Sequence, residues 1–187
     1  MSTDHRMFVA VFVPPDAVRD LHAQLAPLRE AQASVPLRFT PDDKLHLTLR
    51  FMAKVPPDQV DAIAHACEHA AASSPSFELA LCRAGAFPTP RRATVLWLGP
   101  ADPAPLVALG TRVNTAIDAL GLPPEVRPLS PHLTIARCRR PQRLDALIDR
   151  LACVQMHFRV AELALVRSHL GSDSPRYEIL RQSALGR

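Results

Sequence analysis

The chain has 187 residues, 48% of them hydrophobic and 21% charged, which is the balance of one globular domain able to bury a core. That composition excludes a disordered tail, a collagen-like chain and a helical membrane protein; no apolar run approaches the eighteen or so residues that span a bilayer. The net charge is +4, and of 22 basic residues only Lys44 and Lys54 are lysines, a bias that either follows codon usage or supplies guanidinium forks for phosphate.

Phe8 to Val13 is β-branched and aromatic and predicts a buried strand. Pro15 and Asp16 open a helix with Val18, Leu21, Leu25 and Leu28 on one face, in which Pro27 marks a kink or early end. Leu45 to Met52 is the next strand, and Pro57-Asp58 starts a helix running to about Ala72. Phe77 to Ala84 predicts a strand, Gly85 to Arg92 a loop, and Thr94 to Leu98 a strand ended by Gly99-Pro100. Then come a helix from Pro103 to Leu120 stopped by Gly121, a strand from Leu133 to Cys138, and a helix from Pro141 to about Ala152. A long strand, Phe158 to Arg167, and a short one, Tyr177 to Arg181, complete the order.

This order repeats as strand, helix, strand, helix, strand. Leu45-His-Leu-Thr-Leu49 in the first half is echoed by Pro131-His-Leu-Thr-Ile135 in the second, with Val9 and Val95 at matching distances upstream. The expectation is one α+β domain over residues 1–187. It is bilobal and duplicated with pseudo-twofold symmetry: two antiparallel-rich sheets flank a central cleft, and helices lie outside. The lobes are expected near residues 1–93 and 94–187, with room for strand exchange between them.

Side chains alternate along a strand. Strict alternation puts His46, Thr48 and Arg50 on one face and Leu45, Leu47, Leu49 and Phe51 on the other; it separates His132 and Thr134 from Leu133 and Ile135. If a twofold axis relates the lobes, two imidazoles and two hydroxyls meet in one small volume. Imidazole titrates near neutrality, so one ring can act as a neutral base and the other as a charged acid, with no metal. Threonine hydroxyls can donate to phosphate oxygens. That set suits phosphodiester hydrolysis.

His65-Ala-Cys-Glu-His69 fits a zinc-protease pattern, but Val60, Ile63, Ala64, Cys67 and Ala71 form the apolar face of that helix and turn both histidines to solvent. Four scattered cysteines form neither a disulfide framework nor a zinc pair. No metal or other cofactor is therefore expected. The absence of a leader-like segment points to a cytoplasmic protein.

His46-Leu-Thr-Leu49 and His132-Leu-Thr-Ile135 resemble the paired H-x-T-x motifs of the two-histidine (2H) phosphoesterase superfamily. Lys44-Leu-His-Leu-Thr-Leu-Arg-Phe51, Gly85 to Arg92, Val95-Leu-Trp-Leu-Gly99, Arg127 to Arg137, and Arg167 to Gly171 with Pro175-Arg-Tyr177 are similar to the LigT-like RNA 2′,3′-cyclic phosphodiesterases, formerly called 2′-5′ RNA ligases. The resemblance implies metal-independent hydrolysis of RNA 2′,3′-cyclic phosphate ends to 2′-phosphomonoesters, alongside reversible ATP-independent 2′-5′ joining. It implies His46 as proton donor, His132 as proton acceptor, and Thr48 and Thr134 as phosphate-binding residues. Two readings stand beside this one: another 2H phosphodiesterase acting on small 2′-5′ oligonucleotides or cyclic nucleotides, and a weakly active RNA-binding protein.

Arg50, Arg91, Arg92, Arg127 and Arg137 are the candidates for contacting substrate or orienting the histidines, and a small twist would present Phe51 to a base. Met52-Ala53 stands where the family has Leu-Gly, and His169 replaces a usually acidic residue, so it is given no role. The partner expected is an RNA end, met by a monomer away from membranes. All of the +4 excess lies in residues 94–187, where Arg137, Arg139, Arg140 and Arg143 cluster after His132. Such a run is ordinarily a solvated face.

Overall fold

The computed structural model describes residues 4–30, 36–171 and 175–186. In chain order the elements are β1 (His5–Phe12), α1 (Pro15–Glu30), β2 (Leu37–Phe39), β3 (His46–Val55), α2 (Val60–Ala72), β4 (Phe77–Phe87) and β5 (Ala93–Pro100). They continue with α3 (Ala104–Asp118), β6 (Leu133–Gln142), α4 (Asp145–Leu151), β7 (Met156–Val160), β8 (Glu162–His169) and β9 (Arg176–Ala184).

The strands run antiparallel in the order β7-β4-β5-β6-β3-β1-β8-β9, with β2 added beside β6. The two sheets expected from the repeat are two four-stranded wings of one sheet, meeting where Leu47 of β3 pairs with Leu133 of β6. The wings interleave the halves of the sequence. β4 comes from the first half and pairs with β5 and β7, while β8 and β9 return from the end of the chain to extend β1. The boundary near residue 93 is thus a boundary of the sequence repeat and not of the sheet.

The helices cross over as well. α1 follows β1 yet packs on β7 and α4, and α3 follows β5 yet packs on β3 and α2. One main core fills the space between sheet and helices. The buried α1 residues Val18, Leu21, Leu25 and Leu28 join Leu45, Leu47, Leu49, Leu133 and Ile135 there. α1 continues past Pro27 to Glu30, because Pro27 sits on the exposed side, where a carbonyl freed by the missing N–H reaches water.

Several boundaries differ from the sequence reading. β4 runs on through Gly85–Phe87, and β5 includes Gly99 and Pro100, because these residues pair with one another's strands. α4 begins only at Asp145, since β6 continues to Gln142, which pairs with Ala93. The long strand expected over Phe158–Arg167 is two strands broken at Ala161, because its two parts belong to opposite wings. β2 carries no periodic signal in three residues and escaped the sequence reading.

Candidate active site

Two β-bulges shape the site. Ala10 pairs with Thr48 but Val9 with Arg50, so Leu49 is an extra residue in β3. In the other wing Trp97 pairs with Thr134 but Leu96 with Ala136, so Ile135 is extra in β6. The extra residue is each time the last position of His-x-Thr-x. A bulge shifts the alternation by one. Upstream of it His46 and Thr48, like His132 and Thr134, face away from the helices. Downstream, Arg50 and Ala136 turn into the core, and Phe51 and Arg137 turn out. The pairing makes Val9 equivalent to Leu96, one residue from the sequence match with Val95.

The outward faces enclose a cleft of about 350 Å³. His46, Thr48, His132 and Thr134 all line it, so the four motif residues do meet. Phe51 and Arg137 line it too, from equivalent places on the two wings. Arg50 does not. It is 2% exposed and bonded to α3, which corrects the expectation that it shares the face of His46. The other arginine candidates lie outside the lining: Arg91 and Arg92 are exposed in the turn before β5, and Arg127 is exposed beside Glu125. Arg139 and Arg140 are exposed outside it as well, and Arg143 pairs with Asp145.

The sequence reading missed Arg6, Phe8, Arg38, Phe39, Thr40, Lys44, Ser168 and Tyr177, which complete much of the wall. Phe8 was legible in part, since it alternates with core-facing Met7 and Val9. Arg38 faces the cleft only because β2 pairs it with Arg137. Ser168 and Tyr177 are placed by the β8–β9 register, which no local pattern encodes.

Both imidazoles are held in the same way. His46 Nδ1 bonds the carbonyl of Lys44 at 2.7 Å and His132 Nδ1 that of Ser130 at 2.8 Å. A carbonyl only accepts, so each Nδ1 carries the proton and each Nε2 is left to exchange one. Their surroundings differ. His46 stacks on Phe8 at 4.9 Å and meets the edge of Tyr177 at 5.6 Å, whereas His132 meets Phe87 edge-on at 5.0 Å. Burial, more than any other cause, pushes the His46 pKa down; the bond to Lys44 raises it, and the charges of His132 and Arg137 lower it.

The lining holds Arg6, Arg38, Lys44 and Arg137 and no carboxylate among the described residues, so the cleft favours an anion. Lys44 Nζ donates to Pro175 O at 2.8 Å, and Arg6 lies 4.4 Å above the Phe51 ring. Among the described residues no three His, Cys, Asp or Glu side chains gather as a metal-binding group. His65 and His69 are exposed on α2. His169 bonds Glu178 at 2.6 Å, across the β8–β9 pair. Among the described residues no helix is long and apolar enough to cross a membrane.

The chain is similar to known proteins in sequence and in fold. The RNA 2′,3′-cyclic phosphodiesterase of Methanothermobacter thermautotrophicus is 28% identical over 177 residues, 91% of this chain and 96% of its own. That of Aeropyrum pernix is 30% identical over 164 residues, 84% of this chain and 92% of its own. The crystal structure of Escherichia coli LigT in apo form is similar with a TM-score of 0.75 and 25% identity, over 100% of both chains. The sequence model of the 2′-5′ RNA ligase superfamily matches residues 14–172, which take in both His-x-Thr strands, and the chain belongs to that family.

Proposed function

We propose that this protein hydrolyses the 2′,3′-cyclic phosphate end of an RNA to a 2′-phosphomonoester. The observation that carries the reading is the pair of imidazoles, each fixed through Nδ1 to a backbone carbonyl, lining one cationic cleft with two threonines. The relatives named as RNA 2′,3′-cyclic phosphodiesterases support the substrate class.

In the mechanism, water attacks phosphorus opposite the 3′ oxygen. Neutral His132 takes the water proton at Nε2 as the new P–O bond forms. The P–O3′ bond breaks, and charged His46 gives its Nε2 proton to the departing 3′ oxygen, leaving a 3′ hydroxyl and a 2′ phosphate. Thr48 and Thr134 donate to the non-bridging oxygens, where charge grows. Arg137 adds positive charge from the β6 side.

The test is incubation with an RNA ending in a 2′,3′-cyclic phosphate, in the presence of EDTA. The expected product is the 2′-monoester. No monoester, or a 3′-monoester, would overturn the reading.

A further inference from the structure

Arg50 immediately follows the β3 bulge and is the charged residue of the first motif that the cleft does not use. Its bonds all leave its own strand. Nη1 donates to Asn114 Oδ1 at 2.8 Å, and Nη2 to Asp118 Oδ1 at 2.9 Å and to Pro123 O at 2.7 Å. Asn114 and Asp118 belong to α3, the crossover helix that leads from β5 towards the second motif. Pro123 begins the irregular segment that ends at Ser130 and His132.

A buried guanidinium is costly to desolvate, and a core position of this kind is ordinarily better filled by an apolar side chain. The protein itself supplies that alternative. After the matching bulge in β6 the equivalent residue is Ala136, fully buried. The bulge therefore does not require an arginine, and what distinguishes Arg50 is where its bonds go. Residues 122–131 contain no helix or strand. The segment is fastened to the fold at its start by Pro123 O on Arg50. Near its end Leu129 packs so closely on Gly110 of α3 that a Cβ there would lie 2.4 Å from Leu129 Cδ2. Its last carbonyls include Ser130 O, the acceptor that fixes His132 Nδ1.

We infer that Arg50 is a positioning residue that couples the two motifs: from the strand of His46 and Thr48 it anchors α3 and Pro123, so that Ser130 O holds His132 in its working orientation. The role rests on the phosphodiesterase reading above. A ring turned away from the attacking water loses rate rather than affinity, because positioning acts on the reacting geometry.

Two variants test it. Arg50→Met keeps the bulk of the side chain and removes its donors. Asp118→Ala keeps the guanidinium and removes its charge partner, whose carboxylate is partly exposed. On an RNA with a 2′,3′-cyclic phosphate end, kcat is expected to fall about tenfold or more in the first and roughly threefold in the second, with KM nearly unchanged. In the substrate-free protein, the ring ¹⁵N signals of His132 should move from the Nδ1–H tautomer towards a tautomer mixture. Unchanged kcat in the folded variants, or lost kcat with an unmoved His132 signal, overturns the inference. If Arg50→Met does not fold, Asp118→Ala decides alone. A wild-type protein without turnover overturns the phosphodiesterase reading, and the ¹⁵N comparison then decides the role of Arg50 without substrate.

Discussion

His46 and His132 are anchored alike, yet His46 lies among Phe8, Phe12 and Tyr177 while His132 lies beside Phe87 and Trp97, and the burial of His46 bears on how it meets a proton. Burial lowers the His46 pKa from its ordinary value of 6.5, so the free protein holds this ring neutral at pH 7. To act as the acid it must be charged by the substrate, and a bound phosphate anion supplies the favourable field. The His46 titration followed by NMR is expected to move to higher pH when inorganic phosphate is added. A fixed titration would place the ring out of reach of phosphate. Stability follows the same sign. The folded state prefers the neutral ring, so this contribution is complete above the unfolded value of 6.5 and is lost as pH falls through the lower folded pKa. His46→Gln should flatten the loss of stability below pH 6.5 in urea unfolding, and an unchanged slope would contradict burial as the dominant cause. For catalysis, His46→Ala and His132→Ala are each expected to lower kcat by about a hundredfold or more with circular dichroism unchanged. Near-normal turnover in either would remove that residue from the mechanism.

Among the elements, the bulges decide which face a residue joins, and they mark the limit of what the sequence shows. Hydrophobic alternation through His46-Leu-Thr-Leu49 and His132-Leu-Thr-Ile135 is regular, so the four motif residues and their common face could be read directly. One inserted residue per strand has no signature in an apolar run, since Leu49 and Ile135 suit a core position whether or not they bulge. Strict alternation accordingly gives Arg50 and Phe51 each other's faces. The break at Ala161 was hidden for a similar reason: both flanks read as strand, and only long-range pairing assigns them to opposite wings. A further element-level feature is the seat of Trp97, which lies across β4 and β5 with its ring against the backbones of Gly85 and Gly99. A Cβ on Gly85 would stand 2.2 Å from Trp97 Cζ2 and one on Gly99 2.9 Å from Cζ3. Gly85→Ala must displace the indole, which packs on Phe87 at 5.3 Å beside His132. The expected cost is about 1–3 kcal/mol of stability by urea unfolding. Trp97 is the chain's single tryptophan, so the emission spectrum should shift with it. An unshifted spectrum at full stability would mean that the strands part without disturbing the ring.

For the molecule as a whole, crossed strands and helices bring together charges that the sequence keeps apart. Counted along the chain, the basic excess belongs to residues 94–187 and is densest just after His132. In the folded protein Arg6, Arg38 and Lys44 of the first half line the cleft with Arg137, while Arg139, Arg140 and Arg143 lie outside the lining. The cationic site is therefore assembled by topology and not by the local arginine run. In the proposed mechanism the singly charged cyclic phosphate is met by the histidines and threonines, and the positive field of the other lining cations extends to the neighbouring phosphates of an RNA strand. Each phosphate neutralised on a single strand contributes a slope of about −0.7 to the logarithm of affinity against the logarithm of salt concentration. Accordingly, kcat/KM for an RNA end should fall steeply with salt, whereas that for a nucleoside 2′,3′-cyclic phosphate should fall less. Arg6→Gln should make the RNA slope shallower by roughly one phosphate's share. Equal slopes for the two substrates would show that the cleft grips only the terminal nucleotide. A steep RNA slope unaltered by Arg6→Gln would instead place the strand along Arg38 and Arg137, on the opposite wing.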